Sequence, residues 1–209
     1  MKARMHDHDV HGAAMRDAVA RGDLDAARRE AKVLAELRID GAVEPTWRKN
    51  LDAMNAAAAR VAEAKDLPAA SRGLSAVART CGGCHATLGG PGPIVGEPPG
   101  EGSGVGPRMK RHQWAAARLW DGLVVPSDDA WRAGARVLAD APLEPELLTP
   151  GKTPVPKVGA LARSVHELAR RASDAESAVD RGKVYGELMS TCSGCHEWLG
   201  GGPPASTPR

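Results

Sequence analysis

The chain of 209 residues holds four cysteines, and they stand in two matching frames, Cys81-Gly82-Gly83-Cys84-His85 and Cys192-Ser193-Gly194-Cys195-His196. Each frame is C-x-x-C-H. Two thiols three positions apart can add across the two vinyl groups of a haem, and the histidine that follows is then placed to ligate the iron. Three other chemistries use paired cysteines. A zinc site built from both pairs would leave both histidines without a role. A dithiol redox site usually accompanies a βαβ pattern, which this sequence lacks. A disulfide staple in an exported protein would ignore the histidines as well. The repeated histidine therefore makes two covalently attached haem c groups the expected cofactors. Thioethers fall at Cys81, Cys84, Cys192 and Cys195, and His85 and His196 become the proximal iron ligands.

The rest of the chain repeats too. A shift of 104 residues puts Arg4, Met5 and His8 on Arg108, Met109 and His112, Asp17 on Asp121, and Val33-Leu34-Ala35 on Val137-Leu138-Ala139. Near the cysteine frames the shift becomes 111, so the second copy carries a net insertion of seven residues. The sequence reads as a tandem duplication. Its expected units are 1–90 and 108–209, joined by a linker over 91–107 rich in glycine and proline.

Helical spacing fits each copy and strand alternation fits neither. In the first copy, His8, Gly12, Met15 and Val19 recur over 5–20. Asp23 is placed to cap a second helix running to about Ile39, with Gly41 as its stop. Pro45 opens a third helix, with Trp47, Leu51, Met54, Ala58 and Val61 on one face. A fourth carries Leu67, Leu74, Val77, Cys81 and Cys84 and stops at Gly89-Gly90. In the second copy, His112, Ala116, Leu119 and Leu123 repeat the first helix, and Asp128 or Asp129 opens a shorter one that ends before Pro142. Five prolines over 141–157 predict a long loop. Helices follow through Val158, Leu161, Val165 and Leu168, and through Tyr185, Leu188, Cys192 and Cys195. The expected fold class is all-α, two tandem four-helix bundles.

A sixth iron ligand must lie upstream in the second copy, because no histidine or methionine follows His196. The candidates there are Met109, His112, His166 and Met189. Met189 precedes Cys192 by three and falls on the proximal side. His112 and its repeat mate His8 are the expected distal ligands, since each stands one helical turn before a small residue, Ala116 or Gly12, that leaves room for a porphyrin. Met5 and Met109, three residues earlier, are the alternatives, and an iron open on one side is the third. His166 reads as a hydrogen-bonded core residue. His6 and His11 have no repeat mates and read as solvent-facing. Trp198 reads equally well as a cover for a haem edge and as an exposed helix end.

Motif position and helix count make each half resemble the cytochrome c′ type of bundle, including its low-spin c-556-like relatives. That resemblance covers nearly the whole chain twice. It implies haem within each bundle and any distal ligand on the first helix. Cytochromes c′ often carry a basic residue one turn beyond the haem histidine; here those places hold Gly89 and Gly200.

Composition fits a cofactor-filled interior. Hydrophobic residues make up 42% of the chain, but many are alanine, phenylalanine is absent, and the aromatics are five tryptophans and one tyrosine. A porphyrin supplies apolar surface that such a core lacks. The net charge of +2, with both signs mixed along the chain, argues against a nucleic-acid binder. No apolar run approaches the roughly 20 residues a membrane span needs. The first residues lack the apolar stretch of a secretion signal. Haem attachment by this signature takes place outside the bacterial cytoplasm, so the expected location is the periplasm or cell envelope, with a signal peptide removed. No Ser/His/Asp set, carboxylate pair or phosphate loop stands out, and the chain reads as a non-enzyme. The expected function is electron transfer between redox partner proteins through two six-coordinate, bis-histidine haems. Gas binding or sensing at an open or displaceable distal site is the rival; a peroxidase would need an open iron and acid–base groups beside it.

Overall fold

Helices, most of them rich in alanine, build the computed structural model, which describes residues 2–38, 45–89, 92–93, 95–149 and 155–204. Helix α1 (Lys2–Arg21) ends at Gly22, whose positive φ of 83° turns the chain into α2 (Leu24–Glu36). The Asp23 carboxylate accepts from the Ala26 amide at 2.9 Å and satisfies one of the free donors of α2. Helix α3 (Pro45–Ala62) opens on its proline. Asp66 caps α4 (Leu67–Leu88) by accepting from the Ala69 amide at 2.7 Å, and Gly89 closes it in the left-handed conformation.

The second copy follows with α5 (Val105–Val124) and α6 (Asp128–Ala139), the latter capped by Ser127. Then come a single turn, α7 (Pro145–Leu148), and the longer α8 (Pro156–Asp174) and α9 (Ala178–Leu199). Among the described residues there is no strand. The fold is all-α.

Three expectations need correction. The segment 141–157 is not one loop: Pro145 starts the turn α7, Pro156 starts α8, and 150–154 lie outside the described residues. Both prolines fall in a first turn, where a missing amide costs nothing. The linker stops at Gly104, because Val105, Gly106 and Pro107 already belong to α5. Helix α2 ends at Glu36 rather than near Ile39, which lies outside the described residues together with Gly41.

Consecutive helices pack closely within each half, whereas the first and last helix of each half meet over few residues (α1 with α4, α5 with α9). The broadest contact between halves is α4 on α9. Ser71 and Ser75 face Gly186 while Arg79 lies over Gly182, so the two helices run antiparallel. A Cβ on Gly186 would sit 3.2 Å from the Ser75 hydroxyl, a close approach that only small residues allow. Helix α1 also lies on α9, and α5 on α4. One continuous core results, joining Met15, Val19 and Leu74 of the first half to Leu119, Trp131, Tyr185 and Met189 of the second. The linker is tied along α5, since Arg111 donates to the Pro99 carbonyl at 2.8 Å and Arg118 to that of Val95 at 3.2 Å.

Candidate functional site

Both cysteine frames occupy the last two turns of a long helix, α4 and α9. On a helix, positions i, i+3 and i+4 share one face, so Cys81, Cys84 and His85 project to one side, as do Cys192, Cys195 and His196. Because α4 and α9 are antiparallel, the frames lie toward opposite ends of the pair. A single four-cysteine zinc site is not assembled, and among the described residues no three His, Cys, Asp or Glu side chains converge as a metal cage.

All four cysteines are free thiols. Burial pushes Cys81 and Cys192 up to about 12 and raises Cys84 and Cys195 as well. Reactive dithiols sit at helix N-termini, where the dipole favours thiolate; these sit at C-termini, where it does not. The arrangement suits thiols held as neutral nucleophile precursors against an apolar surface, and it disfavours dithiol redox chemistry.

The histidines are held differently. His196 places Nδ1 2.5 Å from the Ala20 carbonyl at the end of α1, which leaves Nε2 for a ligand. His85 is half-buried, with Nδ1 enclosed and without a hydrogen-bond partner among the described residues. Burial lowers its pKa, against the opposing charge of Asp9 on α1. Asp9 acts on the Cys81 thiol too, so the N-terminal half of α1 faces the first frame.

Of the expected distal ligands, His112 is buried and His8 only half-buried, so the two places are not equivalent. Burial takes His112 down to about 4, and His196 and His166 lie within electrostatic reach of it. It is neutral at ordinary pH, as iron ligation requires. Its Nε2, however, meets the Ala141 carbonyl at 2.6 Å, so ligation through that atom needs the ring to turn. Burial also lowers His8, with Asp7 opposing. Of the alternatives, Met5 is exposed and Met109 half-buried. His166 accepts from the Leu143 amide at 3.3 Å, as a core histidine does. His6 is exposed as expected, but His11 is not simply solvent-facing: it is half-buried, with Nδ1 2.8 Å from Glu30 of α2. Met189 is fully buried, and Trp198 is 51% exposed with the Lys157 ammonium 5.3 Å from its ring.

Sequence reasoning missed the two carbonyls, Ala20 and Ala141, because backbone acceptors leave no mark in side-chain patterns. It also missed Gly82. A Cβ there would lie 2.1 Å from the Leu123 carbonyl of α5, whereas one on Gly83 would meet nothing. A glycine inside a helix costs about 1 kcal/mol against alanine, which is the signal that could have flagged it.

Leu88 and Trp198, two of the large apolar side chains left in water, stand within three residues of His85 and His196. A cleft of about 570 Å³ between α4, α8 and α9, lined by Arg72, Arg79, Arg171 and Lys183, contains neither frame. No protein-family model, curated protein or solved structure matches this chain.

Proposed function

We propose that this protein is a dihaem c-type cytochrome that carries electrons between redox partner proteins outside the cytoplasm, in the periplasm or cell envelope. Its two halves act as tandem four-helix units of the cytochrome c′ type, each holding one haem. Cys81 and Cys84 supply the thioethers and His85 the proximal ligand in the first; Cys192, Cys195 and His196 do so in the second. The single observation that carries the reading is that both C-x-x-C-H frames fall on the terminal turns of repeat-mate helices, with burial raising the thiols of Cys81 and Cys192. The bound haems supply one-electron chemistry through Fe(III) and Fe(II). The chain's own part would be to hold the imidazoles of His85 and His196, pack apolar side chains against each haem and limit how far solvent reaches it.

His8 and His112 are the proposed distal ligands, which makes both irons six-coordinate and leaves no substrate site; the protein is a carrier rather than an enzyme. A second reading, gas binding at an open distal side, draws support at the second half alone, where the Ala141 carbonyl already holds His112 Nε2. Absorption spectra of the ferric and ferrous protein separate the two. Low-spin bands for both haems support the carrier, a high-spin fraction of about half supports gas binding at one centre, and absence of a Soret band overturns both.

A further inference from the structure

The two proximal histidines differ in one contact, and the difference crosses the halves. The carbonyl that meets His196 Nδ1 belongs to Ala20, 176 residues earlier on α1, while Nδ1 of His85 meets no partner among the described residues. The contact is built from both sides. Gly22, at φ 83°, lets the chain leave α1 directly against α9, where a Cβ would lie 3.2 Å from the Ser193 carbonyl. Gly202, at φ 109°, crosses back over α1, where a Cβ would lie 2.8 Å from Arg21 Cα and 3.1 Å from His196 Nδ1. The Arg21 guanidinium then donates to the Pro203 carbonyl at 3.1 Å. At the other frame the end of α5 approaches α4 as well, but there the Leu123 carbonyl faces Gly82 and not the histidine.

We propose that α1 of the first half is a positioning element for the second half's iron ligand: the Ala20 carbonyl holds His196 as the Nδ1–H tautomer with Nε2 free, and makes the two haem centres electronically unequal. This rests on the dihaem reading. An imidazole that donates Nδ1–H to a carbonyl is a more basic ligand through Nε2, and a more basic ligand favours Fe(III). Other charges face these rings. Asp9 acts on His85, but it is exposed and water screens it. His112 lies within electrostatic reach of His196, but burial keeps it neutral. The Ala20 carbonyl touches the ring itself and outweighs both.

The test uses the holoprotein. Proton NMR of the ferrous low-spin form, with the two proximal histidines assigned, should show the His196 Nδ1–H resonance downfield of that of His85, as a hydrogen-bonded N–H is. A potentiometric titration should resolve two midpoints. Gly202→Ala, which drives a methyl toward Nδ1, should raise one midpoint and leave the other, while Gly92→Ala, whose Cβ meets nothing, should move neither. Coincident Nδ1–H resonances for the two rings, or a Gly202→Ala shift shared by both midpoints, overturn the inference while the dihaem reading stands. A protein without haem signals overturns both. The NMR comparison needs no variant, so poor folding of Gly202→Ala does not shield the inference.

Discussion

At Cys81 and Cys192 burial favours the neutral thiol over the thiolate, and the sign of that effect makes a prediction in the haem-free chain. A raised thiol pKa means protonation persists to higher pH, so the reactive thiolate is scarce at pH 8 and grows only as pH rises toward about 12. Iodoacetamide should label these two cysteines more slowly than a free cysteine at pH 8, with the rate climbing through the alkaline range. Fast labelling at neutral pH would instead indicate a reactive dithiol. The proposed distal ligands belong to the same scale. In the holoprotein, His8→Ala and His112→Ala should each convert one haem of two to a high-spin form that binds carbon monoxide, leaving the other low-spin. Carbon-monoxide difference spectra read this directly. If both variants keep wild-type spectra, histidine ligation is wrong and Met5 and Met109 are the next pair to change.

Among the elements, the sharpest contrast lies within one frame. Gly82 is pressed against the Leu123 carbonyl, a backbone atom that cannot swing aside, and Gly83 faces open space. Gly82→Ala should destabilise the fold by about 1–3 kcal/mol, as overpacking does. Gly83→Ala should be neutral or slightly stabilising, because alanine favours helix. Thermal melts of the two variants check the pair, and equal melting temperatures would mean that α5 does not pack on α4 as described. Much at this scale was legible in the sequence. Asp23 and Pro45 marked helix starts and Gly89 a helix end, because caps and stops act within a turn. The turn α7 was not legible, since five prolines across 141–157 outweigh a four-residue helix in any local pattern. Nor was the role of His11: a charged partner on the next helix, Glu30, depends on how α1 and α2 pack.

For the whole molecule, the all-helical class was legible but the joining of the two repeats was not. Repeat spacing says that two similar units exist; the α4–α9 contact depends on Ser71, Ser75 and Gly186, small residues that give no periodic signal. Because that contact belongs to one continuous core, cutting the linker between 92 and 104 should not free two separate bodies. Nicked protein should elute from a sizing column at the volume of the intact chain and melt in a single transition. Separate elution of the fragments would contradict the shared core.

The central claim, that the two C-x-x-C-H frames each hold a haem through thioether bonds, is tested most directly by the intact mass of the protein, produced with c-type haem attachment available, after acid–acetone extraction. The account predicts a mass above that of the 21.8 kDa chain by two haems, falling to one haem in Cys81→Ala/Cys84→Ala and to one in Cys192→Ala/Cys195→Ala. The bare chain, or the chain with zinc, would contradict it.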